Sequence, residues 1–191
     1  MSEQELLIQL HKGDETAFKT LVETYQKRVL NTVLTIVQNL EEAEDISQEV
    51  FMEVCQSVGK FRGESKISTW LYRIATMKAL EEIRKKKAKK RFAFFTNLFG
   101  EANEVLHESV DFVHPGIVME QQENACILFK AISLLSNNQK IAFTLSTIEG
   151  LSYHEITEVM QISLSSVESL LFRAKSNLRK SLGNYYKNQY Q

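Results

Sequence analysis

Between Phe61 and Arg91 the chain reads FRGESKISTWLYRIATMKALEEIRKKKAKKR, with 11 Lys and Arg against three acids. The 59 residues before Lys60 carry four basic and 11 acidic side chains, so a formal net charge of −1 hides a strong internal asymmetry. A focused basic segment on an otherwise acidic chain points to a polyanion partner. Within it, Arg73, Met77, Leu80 and Arg84 recur at i, i+4, i+7 and i+11 and form one stripe of a helix, with Thr69 and Thr76 beside it. Cationic, hydroxylic and apolar groups on one stripe suit contact with phosphates and bases together. The same pattern also fits a core helix that ends in a solvated Lys/Arg tail.

The elements that would position this stripe follow from breakers and periodicity. Phe61 to Ser68 is polar, contains Gly63 and suits a loop. A helix is expected from Thr69 or Trp70 to about Lys86, with Leu71, Ile74, Ala75, Ala79 and Ile83 on its apolar side. Upstream, Asp14 can cap a helix that begins near Glu15. Its apolar positions run Phe18, Leu21, Val22, Tyr25, Val29, Val33, Ile36 and Val37. A break at Gln38 to Leu40 precedes a second helix, about Glu41 to Val58, which buries Ala43, Ile46, Val50, Phe51, Val54 and Val58. Asp45, Gln48, Glu49 and Glu53 lie largely off that face. Such an acidic edge is either an ordinary solvated surface or a docking face for a basic partner helix.

From Phe92 to Glu120 there is no Lys or Arg, and the only proline, Pro115, lies here with Gly100 and Gly116. This is the natural linker between two units. Helical periodicity returns at about Gln121, with Ile127, Leu128, Ala131, Ile132 and Leu135 on one face, then Ile141, Ala142, Leu145 and Ile148 after a turn at Asn137 and Asn138. Ser152 and Glu155 form a capping box opening a short helix to Met160. A tight turn at Gln161 to Ser163 leads to a last helix striped by Val167, Leu170, Leu171, Ala174 and Leu178. Two helices so joined fit a helix-turn-helix, although other helical hairpins share the pattern. One Pro and seven Gly in 191 residues, with helical periodicity nearly throughout, predict an all-α protein of two helical domains joined by a flexible linker.

Three segments in order, EDISQEVF (Glu44 to Phe51), FRGESKISTWLYRIA (Phe61 to Ala75) and EGLSYHEI with SVESLLFRAK (Glu149 to Ile156, Ser166 to Lys175), resemble bacterial RNA polymerase sigma factors of the extracytoplasmic-function type, within the sigma-70 family. The resemblance implies a region 2 domain over residues 1–95 for core polymerase and the minus-ten element. It also implies an acidic linker over 96–120, and a region 4 helix-turn-helix domain over 121–187 for the minus-thirty-five element. Asp45, Gln48 and Glu49 then fall in the polymerase-binding helix. Arg62, Lys66, Ser68 and Thr69 fall in the loop that captures a base flipped from the non-template strand. Trp70 follows that loop mainly as packing, with Arg73, Met77, Lys78 and Arg84 on the adjoining helix. Ser165, Ser166, Glu168, Ser169 and Arg173 are the exposed candidates of the recognition helix. The linker would lie in the polymerase's nucleic-acid channels, either as an acidic RNA mimic or as a plain tether. The chain departs from the family's common residues at Met77, where Asn is usual, and at Leu135-Ser136, where Leu-Pro is usual. Lys or Arg are common where Glu168 and Leu170 stand.

The implied partners are core RNA polymerase and promoter DNA, as duplex and as non-template single strand, with an anti-sigma factor as a further candidate. No small-molecule substrate, cofactor or metal is expected. There is no Gly-rich phosphate loop, and His154-Glu155 lacks the second His of a zinc-protease motif. Cys55 and Cys126 are far apart and suit reduced thiols of a cytoplasmic protein. No apolar run approaches ~20 residues, so no stable membrane insertion is expected. KKKAKKRFAFF could instead meet anionic lipid, and a helix-turn-helix regulator that never joins polymerase is the other alternative reading.

Overall fold

The computed structural model describes residues 2–99 and 119–189, with side chains over 2–92 and 125–183. Most of the expected linker and the side chains of the aromatic run after Phe92 therefore lie outside the described residues. Among the described residues every regular element is helical.

Helix α1 (Glu3–His11) opens on a capping box: the Ser2 hydroxyl accepts the Glu5 N–H and the Glu5 carboxylate accepts the Ser2 N–H. Sequence reading passed over this helix, although Ser2 and Glu5 carry the S-x-x-E signature. Helix α2 (Glu15–Val37) starts at Asp14, whose carboxylate accepts the Ala17 N–H at 2.9 Å. It ends at Gln38, which is left-handed at φ 62°, and Asn39 at once caps α3 (Leu40–Ser57) through the Glu42 N–H. A 3-10 turn, Val58–Lys60, leads into the 61–66 loop. Gly63 in that loop has φ 72°, and a Cβ there would sit 3.2 Å from Leu7 of α1, so both conformation and space call for glycine.

Helix α4 runs from Ile67 to Phe99, well past the expected end near Lys86. The physical reason is the absence of Gly or Pro before Gly100, with Lys, Arg and Ala sustaining the backbone. Leu71, Ala75 and Ala79 of α4 are fully buried with Leu21, Val29 and Val33 of α2 and Val50 and Val54 of α3. These three helices form the first unit.

The second unit holds α5 (Met119–Ser133), α6 (Asn137–Phe143), a wider π-helical turn (Thr144–Ile148), α7 (Tyr153–Met160) and α8 (Leu164–Gln189). Ser152 and Glu155 make the expected capping box at α7, and the left-handed Gln161 turns the chain into α8. Leu128 and Ile148, expected inside, are largely exposed, and Phe129 is buried instead. One apolar cluster is continuous from α2, α3 and α4 into α6, α7 and α8, so the two units share a packed boundary.

Glu3 adds a long-range cap: its carboxylate accepts the Ile67 N–H at 2.6 Å and satisfies a free donor at the start of α4. Glu3→Ala is expected to lower stability by about 0.5–2 kcal/mol, as loss of a helix cap does. Urea unfolding followed by circular dichroism checks this, and an unchanged midpoint would show that the cap carries no weight.

Candidate functional site

The loop before α4 is fixed at both ends. The Phe61 ring stacks on Trp70, centroids 4.6 Å apart and planes 18° apart, and the His11 Nε2–H donates to the Phe61 carbonyl at 3.0 Å. Between these anchors Arg62 is exposed, with Glu64 3.8 Å away, and Ser68 is half-buried. Lys66 extends from the loop to Glu155 of α7, Nζ to Oε1 2.8 Å. Thr69 turns inward and is buried, its hydroxyl without a hydrogen-bond partner among the described residues. Thr76 also turns inward, donating to the Tyr72 carbonyl. The hydroxylic edge expected for the stripe therefore belongs to the core side.

The rest of the stripe is open. Arg73 and Arg84 are exposed and Met77 is 60% exposed. A groove of about 440 Å³ runs beside them, lined by Met77, Lys78, Leu80 and Arg84 with Glu53 and Glu81. Lys78 is drawn toward α3, 3.4 Å from Glu49, and Lys86 pairs with Glu42 of the same helix. The acidic edge of α3 thus takes up two cations of α4, while Arg73 and Arg84 form no ion pair with a described residue.

On α3 itself, Asp45, Gln48 and Glu49 are exposed, opposite the buried Ala43, Ile46 and Val50. Next to them a groove of about 690 Å³ between α2 and α3 is lined by Phe18, Val22, Leu30, Phe51 and Met52, with Gln48 among its walls. An apolar groove beside a polar and acidic edge suits a docking helix of opposite charge.

In α8, Val167, Leu171 and Ala174 face inward. Ser165, Glu168, Ser169 and Arg173 are exposed and Ser166 is half-buried. Ser163 caps the helix by accepting the Ser166 N–H, and its hydroxyl also meets those of Ser165 and Ser166. Glu168 takes no part in this cap and makes no hydrogen bond or ion pair to a described residue. Phe172, which sequence reading did not single out, stands 76% exposed on the same helix.

Three further residues escaped sequence reading: Glu3 and His11, which hold the loop from α1, and Glu149. The Glu149 carboxylate accepts from Arg28 Nε at 3.0 Å, from Thr32 Oγ1 at 2.8 Å and from the Tyr72 hydroxyl. Burial first, then this hydrogen bond, push the Tyr72 phenol well above its usual range, so it stays a donor. Only the capping box at Ser2 offered a local signal; the contacts of Glu3, His11 and Glu149 span 50 residues or more of chain.

One helical unit thus carries the loop and the basic stripe, and the other a helix-turn-helix, a combination suited to contact with nucleic acid. Comparison with known proteins makes this specific. Sigma-70 region 2 matches residues 21–89, and Sigma-70 region 4 matches residues 127–178. The RNA polymerase sigma-H factor of Pseudomonas aeruginosa is 33% identical over 180 residues, covering 94% of this chain and 93% of that protein. The ECF RNA polymerase sigma factor SigW of Bacillus subtilis is 31% identical, covering 91% and 93%. Two solved structures share the fold: CnrH in complex with the cytosolic domain of CnrY (TM-score 0.68, 19% identity, 95% and 97% covered) and RpoE in complex with the anti-sigma factor NepR from Bartonella quintana (TM-score 0.71, 21% identity, 87% and 96% covered). The chain belongs to the extracytoplasmic-function sigma factors of the sigma-70 family. Among the described residues, no helix is long and apolar enough to cross a membrane, and no cluster of His, Cys, Asp and Glu could hold a metal ion.

The Lys66–Glu155 pair has a pH signature. The hydrogen bond from Lys66, followed by those from Ser152, holds the Glu155 carboxyl down at about 2 against an ordinary 4.5. Because the folded value is depressed, the stabilisation is complete above the unfolded value and lost as pH falls toward 2. Lys66→Met should therefore lower stability near neutral pH, and its difference from the wild type should shrink between pH 4.5 and 2. Urea midpoints across that range check it; a difference that does not change with pH would contradict the pairing.

Proposed function

We propose that the chain initiates transcription with its two helical units sharing the work. As an extracytoplasmic-function sigma factor it binds core RNA polymerase, recognises promoter DNA and assists strand opening. The observation that carries this is the presence of both sigma regions in one chain that matches its curated relatives over more than nine-tenths of their length. A regulator that never joins polymerase would have no use for region 2, and that alternative is not favoured.

In this reading residues 1–95 hold polymerase and the minus-ten element, 96–120 link, and 121–187 read the minus-thirty-five element. Asp45, Gln48 and Glu49 supply the polar edge of the polymerase dock, with the α2–α3 groove as its apolar partner. Arg62, Lys66 and Ser68 line the base-capture loop, and Trp70 and Thr69 hold it in place. Arg73, Lys78 and Arg84 follow the phosphates while Met77 faces the bases. Unstacking a base costs a few kcal/mol, and aromatic stacking plus phosphate contacts return about 1–3 kcal/mol per base, so no nucleotide hydrolysis is needed.

In the second unit, Ser165, Ser166 and Ser169 donate to phosphate near the start of α8, and Arg173 adds a cation further along. Glu168, free of any capping role, accepts from a cytosine amino group in the major groove. The protein acts beside polymerase in the cytoplasm and does no covalent chemistry of its own. An anti-sigma factor is a further partner; the solved RpoE relative is bound to one.

Reversing charge at Asp45 and Glu49 to Lys should weaken core polymerase binding at least about tenfold, or about 1.4 kcal/mol, with helicity and urea midpoint unchanged. A titration of core polymerase measures this, and unchanged affinity would refute the docking assignment.

A further inference from the structure

Sigma-70 region 2 begins its match at residue 21, so helix α1 (Glu3–His11) stands outside it. Yet α1 touches the 61–66 loop along its whole length. Glu3, Leu7 and His11 recur every four residues and share one stripe of the helix, which rises about 12 Å between the first and the last. Each meets a different part of the loop. At its start, the His11 Nε2–H donates to the Phe61 carbonyl at 3.0 Å. In its middle, Leu7 covers Gly63 so closely that a Cβ there would lie 3.2 Å from the Leu7 side chain. At its end, the Glu3 carboxylate accepts the Ile67 N–H at 2.6 Å.

The support is itself firm. Leu6 and Leu10, on the neighbouring stripe, are buried in the core of the first unit. The Ser2–Glu5 capping box locks the turn from which Glu3 projects. The residue before Ile67 shows why outside help is needed. Lys66 stands at the cap position of α4, where its carbonyl accepts the Trp70 N–H. Ser, Thr, Asp or Asn is usual there, because the side chain must accept a hydrogen bond. A lysine ammonium has no acceptor. The sequence thus keeps a cation at the loop and delegates the cap to Glu3, 64 residues away. Both hydrogen bonds from α1 go to backbone, which leaves the side chains of Arg62 and Lys66 out of them.

We propose that α1 is a splint for this loop, with Glu3, Leu7 and His11 as positioning residues that order its backbone before a base arrives. A loop ordered in advance draws nothing from the base's binding energy, which already has to offset unstacking. The effect falls on strand opening and not on docking, because none of the residues lining the α2–α3 groove comes from α1. This use of the loop rests on the sigma-factor reading; the splint itself does not.

Trp70 is the only tryptophan of the chain and stacks on Phe61, so its fluorescence reports the order of the loop. In the full chain without DNA or polymerase, Glu3→Ala and His11→Ala should each make Trp70 more accessible to acrylamide, and the double variant more so. Glu3→Gln keeps an acceptor and His11→Gln keeps an N–H donor at similar reach, so both should hold the wild-type quenching. With core polymerase and a promoter carrying a fluorescent base analogue near minus ten, each alanine variant should lower the open-to-closed ratio about two- to tenfold, the weight of one hydrogen bond. Affinity for core polymerase and for a minus-thirty-five duplex should stay at the wild-type value. The glutamine variants should open the promoter as the wild type does, a rescue that a damaged fold would not show. Alanine variants that match the wild type in both Trp70 quenching and opening would overturn the splint, as would a loss of docking equal to the loss of opening. A wild type that leaves the promoter closed with polymerase present would refute the sigma-factor reading, while Trp70 quenching would still decide the splint.

Discussion

Helix α4 must be buried on one side and bare on the other, and most of the first unit is arranged around that requirement. Leu71, Ala75 and Ala79 sit in the core against α2 and α3, which fixes where Arg73, Met77 and Arg84 point. The rotation is set by volume: at close-packed density a small residue such as Ala75 or Ala79 cannot exchange places with an arginine. The start of the helix is set by a different kind of contact. Glu3 caps Ile67, the Phe61–Trp70 stack closes the loop, and Leu7 comes close to Gly63. A flipped base gains from such a loop only if the loop is ordered before the base arrives, because ordering it afterwards would consume the binding energy.

Charge on this surface is shared between competing tasks. Lys78 and Lys86 pair with Glu49 and Glu42 of α3, and Lys66 pairs with Glu155 of α7. Pairs this exposed contribute little to stability and are screened by salt. Under the proposed function, each pair involving Lys66 and Lys78 holds a cation that phosphate could take instead at small cost. The contact of Glu149 with Arg28, Thr32 and Tyr72 is of another kind. It is buried and fully bonded, so breaking it by removing one member is expensive. The exposed pairs and the buried one thus differ in kind: the first are exchangeable, the second holds the boundary of the two units.

Local chemistry was legible in the sequence and distant chemistry was not. Asp14, the Ser152–Glu155 box and the Gln38 break mark helix ends through residues within four positions, and each holds in the structure. The apolar stripes of α3 and α8 follow the 3.6-residue period closely enough to name most of the buried residues of those two helices. Within the site, Asp45, Gln48, Glu49, Arg73, Met77 and Arg84 are as exposed as their spacing implies. Thr76 is not, because a threonine hydroxyl can satisfy itself on a preceding carbonyl and so tolerates the core side of a helix; Thr69 is buried too, although its hydroxyl finds no such partner among the described residues. The extension of α4 to Phe99 was missed because a run of Lys and Arg reads as a tail unless its helix propensity is weighed. Glu149 was out of reach: its partners lie 77, 117 and 121 positions away, and no local pattern encodes them.

Promoter opening is proposed to depend on the loop ahead of α4, held by α1 and by the Phe61–Trp70 stack. The most direct measurement is single-strand footprinting of a promoter bound by core polymerase with the wild type or with a protein shortened between Arg62 and Ser68. Reactive, unpaired bases near minus ten are expected with the wild type. With the shortened protein the duplex is expected to stay fully paired, although polymerase and the minus-thirty-five element are still bound. Unpaired bases at the same positions with the shortened protein would contradict it.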